Sequence, residues 1–414
     1  MTLPHRRGAV SSKSNNALND VAGTPRTRTR IRPGTLLLGA AATATLAAVP
    51  LAASAATTHT SPVVGHVYVN DNTTGTNTIG AFDRHANGTL TPEAGSPFTA
   101  GGAGTGAGLA SQGSLQLSAN GRYLLAVDAG SNQISVLRVS RTGTLNLVPG
   151  GVVSSGGTLP VSIAVHHGLV YVANSGATDS NFTGFQLGWG GRLTPIAGST
   201  VSLPNGSQPG DVLFNGTGTN LAGTLVGTSE IASYSVNWNG HLRAAAGSPF
   251  AAQGLGPFGS EFRPGSPDQL FVSNAHNTAA DSGTVSAFGV SRNGTLSSIG
   301  SSPYADNQMA PCWVEITRNG RYLFAVNTAS GSISRYSIAR NGALTLLGST
   351  AVSTTGGVGA VDARLSPDGR YLYLDESAVG KVGIFAVNGG SLTELSSSPV
   401  ALPTGATPAG MVVS

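Results

Sequence analysis

The tripeptide Gly-x-Leu recurs seven times along this chain at an almost constant spacing. The seven copies lie at residues 88–90, 143–145, 191–193, 240–242, 294–296, 342–344 and 390–392. Their leucines are 55, 48, 49, 54, 48 and 48 residues apart. A repeat of about 50 residues in a β-rich sequence is typical of solenoids, arrays and propellers. Seven repeats of this size predict an all-β, seven-bladed β-propeller with a closed ring.

Each repeat predicts a four-stranded blade. Residues 118–125, 317–327 and 366–374 place an Asn-Gly or Asp-Gly dipeptide before an alternating apolar strand. These dipeptides are strong hairpin signals because both central residues can take positive φ. A third strand is predicted at residues 134–139, 333–338 and 382–387, and the outer strand begins at the Gly-x-Leu phrase. No long apolar period of 3.6 residues occurs, so we expect little helix.

The two ends of the propeller predict how the ring closes. Inner strands usually begin with a proline six positions before the hairpin turn, at Pro160, Pro209, Pro257 and Pro311. Residues 408–414 fit the same template, whereas the first repeat opens at residues 66–70 without an inner strand. We therefore expect residues 408–413 to supply the inner strand of blade 1, which removes a free sheet edge. The predicted propeller spans residues 62–414.

The first 55 residues have the pattern of a targeting segment. Seven basic residues and one acid lie within residues 1–33, and an apolar run at residues 35–53 leads to Ala53-Ser54-Ala55. This pattern predicts a secretory signal peptide at residues 1–55 with a long basic n-region, cleaved after Ala55. The alternative is an uncleaved membrane anchor, since the run is about long enough to span a bilayer. We expect a secreted, extracytoplasmic protein without membrane contact after cleavage.

Charge and cysteine content exclude several classes of partner. The whole chain has 22 Lys and Arg against 18 Asp and Glu, but without residues 1–55 it has 15 against 17, a net charge of −2. A domain so close to neutrality has no basic surface for nucleic acid.

The single cysteine, Cys312, excludes an intrachain disulfide and is expected to be a small buried hydrophobe. Without Cys-x-x-Cys or His-x-x-x-His patterns, no metal or other cofactor is predicted, and we expect a monomer.

The inner strands predict a polar lining for the central channel. Side chains alternate along a strand, so residues four and two positions before each turn point to the same side. The intervening positions are apolar and predict the core between blades: Leu115, Ile163, Val212, Val314 and Met411. The channel-facing positions include four acids, one arginine and one tryptophan.

These polar residues are the candidate site. The catalytic candidates are Asp211, Glu315, Asp362 and Arg364. The substrate-binding candidates are Trp313, Glu261, Gln116 and His276, the last on a loop expected over one face of the ring. Convergent polar groups in a concavity are the default site hypothesis. The alternative is that these groups hydrate a water-filled channel and pair with one another, as Arg364 with Asp362 or Glu315.

The repeat phrase also resembles a known family. Residues 366–373 read Ser-Pro-Asp-Gly-Arg-Tyr-Leu-Tyr. Together with the Gly-x-Leu phrase and the repeat of about 50 residues, this resembles the lactonase family of seven-bladed propellers over roughly residues 62–414. The family includes 6-phosphogluconolactonase-like proteins and carboxymuconate-lactonising enzymes. The resemblance implies a hydrolase of the carboxylic ester type that opens a small lactone or sugar-acid lactone.

The family's catalytic motif is not matched. Its active members carry Gly-Pro-Arg-His on an inner strand and Asn-Glu at the end of the next strand. Here Phe258 and Gly259 stand at the arginine and histidine positions, and Ala275 replaces the glutamate. Asp375 and Glu376 resemble the Asn-Glu pair one residue out of register.

Two functional hypotheses follow from this departure. Lactone hydrolysis needs a general acid or base and a group that holds the developing oxyanion, and the channel residues would have to supply both. The alternative is a non-catalytic extracellular binding or scaffold propeller. The expected partner is accordingly a small-molecule substrate or an extracellular partner.

Overall fold

The computed structural model describes residues 61–277, 279–352 and 359–414. Within these ranges the chain forms seven antiparallel sheets and two short 3-10 segments, Ala129–Ser131 and Trp189–Gly191. None of the helical segments in the described ranges is long and apolar enough to cross a membrane. The predicted signal peptide at residues 1–55 lies outside the described residues.

Each sheet is one blade, and its four main strands run from the inside of the ring outward. The innermost strands of blades 1 to 7 are Met411–Val413, Leu115–Leu117, Pro160–His166, Pro209–Phe214, Pro257–Phe262, Pro311–Ile316 and Ala360–Leu365. The second strands are Val63–Asn70, Tyr123–Asp128, Leu169–Asn174, Asn220–Leu225, Gln269–Asn274, Tyr322–Asn327 and Tyr371–Glu376. The third strands are Thr78–His85, Gln133–Val139, Asn181–Leu187, Glu230–Val236, Thr284–Val290, Ser332–Ile338 and Lys381–Asn388. The outer strands are Leu90–Pro92, Leu145–Ser154, Leu193–Pro195, Leu242–Ala244, Leu296–Ser298, Leu344–Ala351 and Ser391–Glu394.

The outer part of the blades comes in two forms. In blades 2 and 6 the outer strand is long and pairs along the whole third strand. In the other blades the outer strand is short, and a two-residue strand pairs with the far end of the third strand. These short strands are Phe98–Thr99, Val201–Ser202, Phe250–Ala251, Tyr304–Ala305 and Val400–Ala401. Outer strands begin at, or one residue before, the leucine of the Gly-x-Leu phrase, which confirms how the repeat was divided into strands.

The C-terminal strand closes the ring as predicted. Met411–Val413 pairs antiparallel with Val63–Asn70, so that Val413 lies opposite Val67. Arg84 adds a side-chain link, since its Nε and Nη2 donate to the Ser414 carbonyl oxygen at 3.1 and 2.9 Å. The innermost strands contact one another in cyclic order around the ring. Blade 1 is thus built from both ends of the propeller.

The core lies between neighbouring blades. The inner-strand residues predicted to pack there are at most 1% exposed: Leu115, Ile163, Val212, Val314 and Met411. A tyrosine hydroxyl reinforces several of these interfaces. Tyr68 donates to Gly143 O at 2.8 Å, Tyr171 to Gly240 O at 2.9 Å and Tyr373 to Gly88 O at 3.0 Å. Each tyrosine therefore links its second strand to the outer hairpin of the next blade.

Candidate functional site

The ring has two faces that the strand direction defines. Inner strands begin, and second strands end, on one face, which we call the entry face. Inner strands end on the opposite face, in the hairpins that carry Asn-Gly and Asp-Gly, which we call the hairpin face. In blade 5, Pro257 and Asn274 pair with each other on the entry face. The motif positions of the lactonase family therefore lie on the entry face of this chain.

A short segment between blades 1 and 2 crosses the channel on the entry face. We call residues 109–113 the plug segment. Gln112 bonds to three different blades through its backbone N–H and both ends of its amide. The N–H donates to Gly210 O at 2.8 Å, Nε2 donates to Ser260 O at 3.0 Å, and Oε1 accepts from Val314 N at 3.2 Å. The plug segment therefore occupies the channel at this level.

Ser111 ties the plug segment to two further positions. Its hydroxyl donates to Val161 O in blade 3 at 2.8 Å. Its carbonyl accepts a hydrogen bond from Trp313 Nε1 in blade 6 at 2.9 Å. Ser111 is 1% exposed and Gln112 is 6% exposed. Because every polar group named here has a hydrogen-bond partner, the plug segment is held in one defined position.

The plug segment occupies the place where the resemblance would put the catalytic histidine. A Cβ at Gly259 would collide with Gln112 Oε1 and would lie 2.6 Å from Cys312 O. Phe258, at the arginine position, packs edge-on against Trp313 with ring centroids 5.0 Å apart. Asn274 is held within its own blade, where its Nδ2 donates to Ser286 Oγ at 2.8 Å. The position at which the resemblance would place the catalytic motif thus has neither the motif side chains nor open space.

A cavity of about 260 Å³ lies between the plug segment and the hairpin face. It brings together five of the eight residues singled out in the sequence: Gln116, Asp211, Glu261, Glu315 and Arg364. Asp362 adjoins the cavity through its ion pair with Arg364. Two candidates lie elsewhere. Trp313 is buried beneath Ser111, and His276 is exposed on a loop beside Gly256 at the entry face.

The four acids share one structural role. Each accepts a backbone N–H from the inner strand of the next blade. The donors are Ser260 N to Asp211 at 3.1 Å, Ile316 N to Glu261, Leu365 N to Glu315 at 2.8 Å, and Met411 N to Asp362 at 3.0 Å. One oxygen of each acid is therefore committed to holding neighbouring blades together.

Arg364 is the cation that faces these acids. Its Nη1 lies 2.6 Å from Asp362 Oδ1 and 3.7 Å from Glu315 Oε2. Asp362 is completely buried, whereas the Glu315 and Arg364 side chains are each 15% exposed. The second oxygen of Glu315 thus lies between the arginine and the cavity. The site contains four acids and one arginine, so its acidic groups outnumber its cationic group.

Burial in this site shifts the acids toward their protonated forms. Burial raises the pKa of Glu315 to about 7, although the Arg364 charge opposes the shift. Burial, and then the charge of Glu315, raise the pKa of Glu261 well above its usual range. Burial raises the pKa of Asp211 to about 7 against the hydrogen bonds from Ser260. The pKa values of all three acids are thus raised, mainly by burial.

Sequence reasoning missed the plug segment. Ser111 and Gln112 precede the inner strand of blade 2 and have no counterpart at a fixed offset in the other repeats. Their role depends on contacts with residues up to 202 positions away. The proximity of Glu261 and Glu315 can be predicted from the sequence, because both lie two positions before the turn in adjacent repeats.

Comparison with known proteins agrees with this architecture. Residues 265–409 match the family described as "Lactonase, 7-bladed beta-propeller". No curated protein matches the chain at a significant level.

Solved structures share the fold at low sequence identity. A putative 6-phosphogluconolactonase from Bacteroides fragilis superposes with a TM-score of 0.64 at 19% identity, over 84% of this chain and 98% of that one. A second, from Bacteroides uniformis, has a TM-score of 0.67 at 19% identity, over 85% and 100%. A periplasmic gluconolactonase from Pseudomonas aeruginosa has a TM-score of 0.66 at 16% identity, over 84% and 98%. The described part of the chain is thus a seven-bladed β-propeller, and its residues 265–409 match the lactonase family of such propellers.

Proposed function

We propose that the protein is an exported hydrolase that opens a small, uncharged lactone in the cavity between Gln112 and the hairpin face. The observation that carries this proposal is the pair of Glu261 and Glu315 at the wall of that cavity. The pKa values of both carboxyl groups are raised, and two neighbouring carboxyl groups can serve as an acid and a base at one pH when only one of them is protonated. The family match supports lactone chemistry as the reaction class.

In this proposal the two glutamates have different roles. The Glu315 carboxylate takes a proton from water as the water oxygen attacks the lactone carbonyl carbon. The ring carbon–oxygen bond then breaks, and the departing ring oxygen takes the proton of the Glu261 carboxyl group. Arg364, 3.7 Å from Glu315 Oε2, favours the ionised form of the base. The product is an open-chain hydroxy acid, and both glutamates exchange protons with water before the next turnover.

The charge of the site favours an uncharged substrate. Four acids surround one arginine, which Asp362 already pairs at 2.6 Å. A phosphorylated or carboxylated ligand would meet like charge without a free cation to compensate it. The anionic product of lactone opening is repelled for the same reason, which assists its release.

Two observations support an extracytoplasmic location. Residues 1–55 carry the basic, apolar and Ala-x-Ala pattern of a signal peptide. The structurally similar protein from Pseudomonas aeruginosa is described as a periplasmic gluconolactonase.

A pH-stat assay tests the hydrolase proposal. The purified protein is assayed at pH 7 against a panel of uncharged aldonolactones, beside the Glu261→Gln and Glu315→Gln variants. We expect acid release above the spontaneous rate and a loss of about 100-fold or more in either variant, the range typical for general acid–base groups. The matched control is Glu230→Gln in the third strand of blade 4, which should retain full activity. Equal rates in all four proteins would overturn the proposal.

A non-catalytic binding propeller is the second candidate. It is favoured by the filled catalytic position at Gly259 and by two indole rings that are each 98% exposed, those of Trp189 and Trp238. These tryptophans occupy the same hairpin position in blades 3 and 4, and Trp189 borders a groove of about 830 Å³. Exposed aromatic side chains of this kind are enriched at binding surfaces. Absence of acid release across the lactone panel would favour this function.

A further inference from the structure

We propose that His66, Asp83 and Glu93 form a binding site for a divalent transition-metal ion, with Zn²⁺ as the best match, on the outer part of blade 1. The site is separate from the channel and independent of the proposed hydrolase activity. One ligand atom from each residue lies within 4.8 Å of the other two. The three residues border a surface cavity of about 630 Å³ that also reaches Arg141 of blade 2.

The blade itself brings the three side chains together. His66 on the second strand lies directly opposite Asp83 on the third strand. Glu93 follows the outer strand, and its backbone N–H donates to Ala81 O at 2.9 Å. Ala81 and Asp83 are two residues apart on one strand, so their side chains point to the same face. Two adjacent strands and the residue that follows a third thus each contribute one ligand.

The contact between His66 and Asp83 places two of the ligand atoms side by side. His66 Nδ1 is buried and lies 3.2 Å from Asp83 Oδ1. Without a metal a proton on Nδ1 joins these two atoms, and a bound metal ion would replace that proton. Two ligand atoms about 2.0–2.1 Å from a tetrahedral Zn²⁺ are about 3.3 Å apart. The observed spacing therefore fits shared coordination.

The ligand chemistry selects among metals. One imidazole nitrogen and two carboxylate oxygens suit Zn²⁺ and neighbouring transition metals, whereas Mg²⁺ and Ca²⁺ prefer oxygen ligands alone. Three protein ligands beside an open cavity leave a fourth position for water. Thr144 of blade 2 holds Glu93 in place by donating from Oγ1 to Oε1 at 3.3 Å. Outer-shell hydrogen bonds of this kind orient metal ligands.

The other repeats show that packing does not demand this polar set. In blade 3 the same three positions are Leu169, Gln186 and Ile196, and Gly240 of blade 4 packs on the two apolar side chains. In blade 7 the positions are Tyr371, Ala386 and Leu395.

Blade 1 keeps the same frame around the polar residues. Gly143 of blade 2 takes the place of Gly240 and covers the Nδ1 edge of the His66 ring. Tyr68 donates to Gly143 O at 2.8 Å, just as Tyr171 does to Gly240 O. Blade 1 therefore has three convergent polar side chains at positions where blade 3 makes an apolar contact, although the backbone around them is the same.

Calorimetric titration with Zn²⁺ tests the site. The full chain is dialysed against a chelator, freed of the chelator and titrated with ZnCl₂. The Asp83→Asn and Glu93→Gln variants, both close in shape to the native side chains, are titrated in parallel. Circular dichroism verifies that each variant is folded. His167→Gln is the matched control, because it removes a histidine from the hairpin of blade 3 and leaves the proposed ligands intact.

The expected result is one Zn²⁺ per chain with the wild-type protein and the His167→Gln control. In the two ligand variants, binding should weaken by at least about 100-fold, since even outer-shell partners of metal ligands are worth 10–100-fold. Co²⁺ in place of Zn²⁺ should give visible absorption bands in the wild type that disappear in Glu93→Gln. Absence of stoichiometric Zn²⁺ binding by the wild type, or equal affinity in all proteins, would overturn the proposal.

Discussion

The side chain of Gln112 fills the space that any side chain at Gly259 would need. The two residues are 147 positions apart and belong to different parts of the ring, yet the absence of a Cβ at one permits the amide of the other. In the family pattern position 259 would carry the catalytic histidine. The glycine at position 259 and the plug segment therefore depend on each other sterically.

The first prediction concerns Gly259→Ala. The new Cβ would meet Gln112 Oε1 and would lie 2.6 Å from Cys312 O and 2.9 Å from Trp313 Cα. Backbone atoms cannot move aside cheaply, so we expect the free energy of unfolding to fall by about 1–3 kcal/mol. Urea denaturation measures the change. Gly216→Ala is the control, because nothing lies within 4 Å of its Cβ position, and equal effects of the two variants would contradict the steric explanation.

The second prediction concerns the pH dependence of stability. Burial raises the pKa of Asp211 from 3.8 to about 7 in the folded protein. The folded state therefore holds this proton between those two pH values while the unfolded state releases it. The free energy of unfolding should fall as the pH rises through this window. Asp211→Asn, which cannot ionise, should flatten that part of the profile in thermal melts from pH 4 to 8. An unchanged slope would exclude Asp211 as a contributor.

The third prediction concerns the buried ion pair of Arg364 and Asp362. Arg364→Met leaves the Asp362 carboxylate, which is completely buried, without its cation. Removal of one partner of a buried pair costs about 3–5 kcal/mol, whereas removal of both is often nearly neutral. The double variant Arg364→Met with Asp362→Asn should thus recover much of the loss, because the neutral amide oxygen still accepts the Met411 N–H. Denaturant titration of both variants measures this, and a double variant no more stable than the single one would contradict it.

The fourth prediction concerns the pH profile of lactone hydrolysis. Glu315 acts as the base only when ionised, and burial raises its pKa to about 7. We expect kcat/KM to rise from pH 5 to 8 with an apparent pKa near 7. Arg364→Met should move this limb to higher pH, because Arg364 favours the ionised form of Glu315. A profile that stays in place in that variant would argue against Glu315 as the base.

The fifth prediction concerns closure of the ring. A chain truncated after Gly410 lacks Met411–Val413 and the Ser414 carbonyl that Arg84 binds. The second strand of blade 1 would then present an unpaired edge to solvent. We expect a large loss of thermal stability and concentration-dependent aggregation in light scattering. Arg84→Met in the intact chain is the control, and it should be destabilised far less than the truncated chain.

The propeller was predictable because its signals repeat. Outer strands follow a glycine at every copy of the phrase, and Pro160, Pro209, Pro257 and Pro311 each start an inner strand where expected. Even the closure by residues 411–413 followed from the match of one terminus to the template of the other six inner strands. Local turn chemistry and strand alternation carry this information, and both are visible in a single sequence.

The candidate site was less predictable because its contacts are unique to single blades. Strand alternation was enough to place Asp211, Glu261, Glu315 and Arg364 around one cavity. It could not show that Trp313 donates to Ser111 O, since that contact depends on a segment outside the repeat. The proposed metal ligands His66, Asp83 and Glu93 were missed for a similar reason. They are 17 and 10 residues apart and match no short motif.

The plug segment has a mechanical consequence. It joins blade 2 in the chain, yet Gln112 bonds to blades 4, 5 and 6 on the far side of the ring. In a propeller each blade otherwise contacts only its two neighbours, so one interface between blades can open by itself. Here the plug segment crosses the channel, so that opening one interface also strains hydrogen bonds to other blades. The plug segment thus distributes strain over several blade interfaces, and it does so from the space next to Gly259.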